Sequence, residues 1–123
     1  MSDAPYHAHV YYSPEQRARA EVLREGLSER SGILFVGAMT DRPVGPHPLP
    51  QFEIHFREES LADALAIIEE SGLRALFHPL TDDDLADHTS LARWIGEPLE
   101  LDTKVLDPPG MNQGVGRFGK SDF

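Results

Sequence analysis

Short apolar runs bounded by turn-forming residues mark the predicted strands of this chain. These runs cover residues 6–12, 33–39, 51–56 and 73–78. The clearest is the run over residues 51–56, in which Phe52, Ile54 and Phe56 alternate with polar residues. Because successive side chains of a strand point to opposite faces, this alternation predicts a sheet with one face packed on a core.

Three other segments carry apolar residues at helical spacing. These predicted helices cover residues 14–30, 60–71 and 81–95. Two of these helices begin with capping residues, which are Ser13 and Gln16 for the first helix and Ser60 and Asp63 for the second. In the first helix the expected apolar stripe comprises Ala18, Val22, Leu23, Gly26 and Leu27. A last strand is predicted over residues 99–106.

The order of these elements is β-α-β-β-α-β, which is the split βαβ, or ferredoxin-like, pattern of an α+β fold. An extra C-terminal helix and a possible strand follow it. We expect a single ferredoxin-like domain over residues 1–106 and an irregular Gly- and Pro-rich tail over residues 107–123. In this topology two helices cover one face of the sheet. The other face is left open to a partner, to the C-terminal extension or to a site.

Composition narrows the function classes. The 123 residues include 21 acidic and 11 basic side chains, with a net charge of −10. This balance argues against nucleic acid and anionic membrane as partners, because both require a basic surface. Cysteine is absent, which excludes disulfide scaffolds, zinc ribbons and iron–sulfur centres. Neither a signal peptide nor a transmembrane run is recognisable, so a cytoplasmic protein is expected.

Six histidines in so short a chain need an explanation. Strand alternation places His7, His9 and Tyr11 on the open face, together with Glu53 and His55 of the third strand. The remaining candidates lie nearby in the predicted topology and are His47, Arg74, His78 and His88. Imidazole and carboxylate ligands from adjacent strands suit zinc, iron, copper or nickel.

Each of these residues also has an ordinary interpretation. Histidines on an exposed strand can simply be solvated, and His55 can be a cross-strand hydrogen-bond partner. His47 can belong to a loop surface and His78 to a turn, whereas His88 fits a half-buried helix position. Arg74 shares strand parity with His78, so it can hold a substrate carboxylate or lie on the surface. The metal hypothesis therefore depends on the topology bringing several histidines together.

Four segments of the chain resemble the DOPA 4,5-dioxygenase family. They are YHAHVYY (6–12), GPHPLPQFEIHF (45–56), LFHPLTDDDLADHT (76–89) and ARWIGEPLELD (92–102). The resemblance implies a ferredoxin-like fold and a homodimer. It also implies extradiol cleavage of a catechol such as DOPA, with non-haem Fe(II) and O₂. Another divalent metal such as Zn can occupy such a site in a purified sample.

The resemblance also implies roles for residues of this chain. His9, His47 and His78 match the family's most characteristic positions and are expected to hold the metal. Glu53 is the candidate if the ligand set is two histidines and one carboxylate, and the choice between that set and three histidines stays open. His7, His55 and His88 match the family pattern less closely and are assigned as alternative ligands or as acid–base residues beside the metal. From their positions in the predicted strands, Tyr11 can supply a hydroxyl or an aromatic wall, and Arg74 can contact the substrate.

Two other functions remain possible for such a site. One is a non-catalytic, dimeric protein that binds a metal or a small aromatic molecule. The other is a cofactor-free monooxygenase of the small dimeric α+β type, which the six histidines make less attractive.

Overall fold

The fold is built on a five-stranded antiparallel sheet with strand order β2-β3-β1-β4-β5. A computed structural model describes residues 4–81 and 83–106. The strands are β1 (Pro5–Tyr11), β2 (Ile33–Val36), β3 (Gln51–Arg57), β4 (Ala75–Pro79) and β5 (Arg93–Ile95). The helices are α1 (Arg17–Ser28), α2 (Leu61–Ser71) and α3 (Asp84–His88). Single 3₁₀ turns cover Pro14–Gln16, Glu58–Ser60 and Thr103–Val105. The predicted tail over residues 107–123 lies outside the described residues.

The ferredoxin-like α+β prediction is confirmed. β1 lies between β3 and β4, and β2 flanks β3, as the split βαβ pattern requires. The helices α1 and α2 pack on one face of the sheet. On that face Ala8, Val10, Phe52, Ile54 and Phe56 are all completely buried, as their alternation predicted.

The helices contribute a narrower stripe than the sequence predicted. In α1 the buried residues are Ala20, Leu23 and Leu27, which are spaced by three and four positions. Ala18, Val22 and Gly26 were expected in this stripe but are exposed, Val22 to 72%. Ala20, Leu23 and Leu27 instead form the buried face of α1.

The predicted helix boundaries are partly confirmed. The side chain of Gln16 accepts a hydrogen bond from the Ser13 backbone N–H at 3.1 Å, as a capping box requires. The second predicted box is absent, because Ser60 makes no side-chain capping bond and belongs to a 3₁₀ turn. Gly72 ends α2 in the left-handed region, with φ of 77°.

The prediction of a long third helix over residues 81–95 is wrong. The helix α3 ends at His88, and the strand β5 follows it. Leu85 and Leu91, two apolar residues of that segment, are 45% and 49% exposed. Trp94 instead pairs with Leu76 of β4, so the chain completes the backbone hydrogen bonds of that strand's edge.

Two further differences concern strands. β2 ends at Val36 rather than at residue 39, although Gly37 still donates a backbone hydrogen bond to Glu53 at 2.8 Å. The predicted strand over residues 99–106 is absent. Asp102 there accepts a hydrogen bond from the Lys104 N–H at 3.2 Å, which starts a 3₁₀ turn instead.

The second face of the sheet is not open. Its polar side chains, which were expected to face a partner, the C-terminal extension or a site, are at most 3% exposed: His7, His9, Tyr11, Gln51, Glu53, His55 and His78. Residues 41–50 and α3 cover this face, with His47 against His9 and His88 against His78. No helix among the described residues is long and apolar enough to cross a membrane.

Candidate metal centre

Strand register aligns three histidines across the centre of the sheet. His7 of β1 lies directly opposite His55 of β3 on one side and opposite His78 of β4 on the other. Two residues further along β1, His9 faces Glu53 of β3. Because residues two apart on a strand share a face, all five side chains converge on the covered side of the sheet.

His47 and His88 approach this row from outside the sheet. The loop turns back at Val44, where the His47 N–H donates a hydrogen bond to the Val44 carbonyl at 2.9 Å. His88 is the last residue of α3. The His47 ring lies 4.0 Å from the His9 ring, and the His88 ring lies 4.2 Å from the His78 ring. The six histidines are therefore all buried around one centre.

The geometry at the middle of the centre requires a cation or a proton. His9 Nε2 and His78 Nε2 are 3.0 Å apart. The opposite ring nitrogens both meet oxygen acceptors, since His9 Nδ1 donates to Gln51 Oε1 at 3.0 Å and His78 Nδ1 donates to the Pro79 carbonyl at 2.8 Å. In neutral imidazoles each Nε2 then carries a lone pair.

Electrostatics keeps these two rings neutral. Burial lowers the pKa of His9 well below its usual value, and the neighbouring His47 and His88 lower it further. Burial, followed by the charge of His88, does the same for the pKa of His78. Two lone pairs therefore face each other. A divalent ion held by both His9 and His78 would take up these two lone pairs.

His88 has a different electrostatic environment. Its Nδ1 donates to the Asp84 carbonyl at 2.8 Å and lies 3.3 Å from the Asp84 carboxylate. Burial disfavours the protonated form, but the hydrogen bonds and negative charge of Asp84 outweigh this effect and raise the pKa of His88. His88 is thus suited to hold a proton beside neutral imidazoles.

Tyr11 connects the centre to the end of β1. Its hydroxyl oxygen lies 2.6 Å from His47 Nδ1, and its ring stacks on Trp94 with centroids 6.0 Å apart. Burial raises the pKa of Tyr11, although Arg74 opposes this shift. Tyr11 therefore stays a neutral phenol, and its oxygen can accept a hydrogen bond from His47 Nδ1.

A second group adjoins the first. Glu53 Oε2 lies 3.5 Å from His55 Nε2 and 3.9 Å from His7 Nδ1. The His7 and His55 rings stack with centroids 3.7 Å apart and planes inclined by only 8°. Lone pairs lie in the ring planes, so stacked rings direct them past one another rather than towards one ion. Burial and then the nearby His55 lower the pKa of His7.

The donor set fits a divalent metal. Three trios of side chains have ligand atoms within 4.8 Å of one another, namely His7–His9–His78, His9–His47–His88 and His7–Glu53–His55. His9 belongs to two of these trios. Nitrogen and oxygen donors without thiolates suit iron, zinc, copper or nickel.

Arg74 is the predicted site residue that does not reach the cluster. It precedes β4, and its carbonyl accepts a hydrogen bond from the Tyr11 N–H at 2.9 Å. Its side chain borders a cavity of about 520 Å³ whose other polar lining residues are Tyr11, Tyr12, Ser13, Gln16 and Glu97. Tyr11 thus borders both the histidine cluster and this cavity.

Sequence reasoning missed two supporting residues. Gln51 was placed on the polar face of β3 without a role, yet it fixes the orientation of His9. Asp84 was not among the predicted site residues, yet its backbone carbonyl accepts a hydrogen bond from His88. The spacing of four residues between Asp84 and His88 was the available signal, because such residues are neighbours on a helix.

The fold and site together define an α+β protein of ferredoxin-like topology with a buried, histidine-rich candidate metal centre. The sequence model of the Dopa 4,5-dioxygenase family matches residues 6–105, and the chain belongs to this family. The family resemblance noted from the sequence motifs is therefore confirmed.

Individual relatives agree with this assignment. The chain is 31% identical over 111 residues to a DOPA 4,5-dioxygenase of Amanita muscaria. This match covers 82% of this chain and 49% of that protein. An uncharacterized 21.2 kDa protein of Botryotinia fuckeliana is also 31% identical, over 115 residues, with coverages of 82% and 62%. The chain therefore spans only about half to three fifths of these relatives.

A solved structure shares the fold. A crystal structure from Nostoc punctiforme, of a protein provisionally assigned as a dioxygenase, superposes with a TM-score of 0.78 at 33% identity. The match covers 83% of this chain and 90% of that one.

Proposed function

We propose that this protein is a non-haem Fe(II) dioxygenase that opens the ring of a catechol, such as DOPA, by extradiol cleavage. The observation that carries the proposal is the pair of neutral imidazoles, His9 and His78, whose Nε2 lone pairs face each other at 3.0 Å. Family membership supports dioxygenase chemistry for this protein. A homodimer and a cytoplasmic location stay predictions.

The proposed ligands are His9, His78 and His47. All three are buried, and each has its Nδ1 within hydrogen-bond distance of an oxygen atom, which fixes the orientation of the ring. His9 shares one trio of possible ligands with His78 and another with His47, so it is common to both. Glu53 is the alternative carboxylate ligand. We assign it instead to proton handling, because its carboxylate lies beside His7 and His55.

Bound Fe(II) would supply Lewis acidity for the two catechol oxygens and electron density for O₂. His88 would accept the second catechol proton at Nε2 and return it later, since Asp84 stabilises its protonated form. Tyr11 would hold His47 and form one wall for the aromatic ring. Arg74 would attract an anionic group of the substrate from the adjoining cavity.

Anaerobic reconstitution tests this proposal. The metal-free protein is loaded with Fe(II), mixed with DOPA and then exposed to air, and a yellow ring-opened product is expected. No product with DOPA or with a panel of simple catechols would overturn the dioxygenase proposal. Stoichiometric metal binding without turnover would instead favour a non-catalytic metal-binding protein.

Metal analysis tests the ligand set separately. His9→Ala and His78→Ala are expected to lose bound metal, whereas the control Arg19→Ala, on the exposed surface of α1, keeps it. Wild-type metal content in both histidine variants would refute the proposed centre. Circular dichroism of each variant shows whether the fold is retained.

A further inference from the structure

The proposed ligand His47 is held differently from the other two. His9 and His78 lie on central strands, where ladder hydrogen bonds fix the backbone. His47 lies in the irregular segment 41–50. Its place therefore depends on what anchors that segment to the rest of the fold.

Two adjacent residues at the end of β1 hold this segment from opposite sides of the sheet. Tyr11 faces the histidines, with its hydroxyl 2.6 Å from His47 Nδ1. Tyr12 lies in the core on the helix side and donates from its hydroxyl to Asp41 Oδ1 at 2.7 Å. The segment thus wraps around the end of β1, with Asp41 on one side and His47 on the other.

Asp41 is also held by the start of α1. Arg17 donates from Nε to Asp41 Oδ1 at 2.8 Å and from Nη2 to Oδ2 at 3.1 Å. A forked pair of this kind fixes the orientation of both groups. The hydrogen bonds from Arg17 and Tyr12 lower the pKa of Asp41, which stays ionised near neutral pH.

We propose that Asp41, gripped by Arg17 and Tyr12, is a positioning residue for His47. The proposal rests on the metal centre of the proposed function. The Arg17–Asp41 pair is exposed, with side-chain exposures of 41% and 54%, so it contributes little to global stability. Its role is to limit the movement of the segment that delivers His47 to the centre.

Hydrogen exchange in the metal-free protein measures this anchoring directly. In Asp41→Ala the His47 amide, which bonds to the Val44 carbonyl, is expected to exchange at least about tenfold faster. The Ala8 amide in β1 is expected to exchange at the wild-type rate. Glu21→Ala is the matched control, because it removes the other carboxylate that Arg17 contacts.

Cobalt binding measures the consequence for the centre. Co(II) alone serves as the probe, since its visible spectrum reports on the ligand set. Asp41→Ala is expected to weaken Co(II) binding by about tenfold, as for other residues that orient ligands, and to shift the spectrum towards that of His47→Ala. Glu21→Ala keeps the wild-type Kd and spectrum.

The outcomes separate this inference from the proposed function. Wild-type exchange at His47 in Asp41→Ala overturns the positioning role, and so does a wild-type Co(II) Kd in that variant when His47→Ala is weakened. A wild-type Kd in His47→Ala overturns the proposed ligand set itself. In that case the positioning role falls with it, even if the exchange data still show that Asp41 anchors the segment.

Discussion

The tautomers of His9 and His78 are each set by one oxygen atom. A backbone carbonyl holds His78, whereas the amide side chain of Gln51 holds His9. A metal-binding histidine needs its second nitrogen fixed in this way, because the hydrogen bond orients the ring and increases its basicity. Gln51 is therefore the member of this set that substitution can test.

Gln51→Leu is expected to weaken divalent-metal binding by about 10- to 100-fold, because His9 loses the acceptor that fixes its tautomer. Gln51→Glu keeps an acceptor at the same place and should retain tight binding. Competition titration with Co(II) or Zn(II) gives both dissociation constants. Equal affinities for the leucine variant and the wild type would contradict the role of Gln51.

Asp84→Asn is expected to lower the pKa of His88. The charge and side-chain hydrogen bond of Asp84 oppose the effect of burial, so without them burial dominates. NMR titration of the metal-free protein measures this pKa. Asp63→Asn, on the exposed side of α2, serves as the control. An unchanged His88 titration in Asp84→Asn would show that another group stabilises the imidazolium.

At the scale of elements, two glycines allow a pair of contrasting substitutions, one at the C-terminal cap of α2 and one within α1. Gly72 ends α2 with φ of 77°, so Gly72→Ala should destabilise the protein by about 1 kcal/mol. Gly26 lies within α1, and beyond the adjacent helix backbone no atom lies within 4 Å of the position that a Cβ would occupy. Gly26→Ala should therefore stabilise the protein by about 0.5 kcal/mol. Urea unfolding measures both changes, and effects of equal sign would contradict this account.

Elements with alternating apolar and polar residues could be predicted from the sequence. Elements whose conformation depends on contact with another strand could not. Phe52, Ile54 and Phe56 predict β3 on their own, because strict alternation of apolar and polar residues is typical of strands. In the third helix, the positions of Leu85 and Leu91 fit helical spacing but both are exposed. The end of this segment forms a strand because Trp94 pairs with Leu76 at the edge of β4, and a helix would not provide this pairing.

At the scale of the whole molecule, strand parity predicted which histidines share a face but not that the face is buried. His7, His9 and His55 were placed correctly from their positions in β1 and β3. The approach of His47 and His88 depends on a proline-rich segment and a one-turn helix, whose paths no periodicity specifies. For the same reason the separation of Arg74 from the cluster was not foreseen.

Burying so many imidazoles makes the metal-free protein sensitive to acid. The pKa values of four of them are lowered on folding, those of His7, His9, His47 and His78. Below the unfolded pKa of about 6.5, the unfolded chain therefore binds more protons at these positions than the folded chain does. His88 acts in the opposite direction, since its pKa is raised and its contribution is lost as pH rises.

Because four groups oppose one, the free energy of unfolding should fall as pH decreases from about 7 to 5. Each net proton taken up on unfolding contributes about 1.4 kcal/mol per pH unit. Urea denaturation at several pH values measures the slope. A bound divalent metal should shift the loss of stability to lower pH, because it competes with protons for the same nitrogens. A stability independent of pH over this range would mean that the histidines bind as many protons in the folded chain as in the unfolded chain, which would contradict the lowered pKa values of His7, His9, His47 and His78.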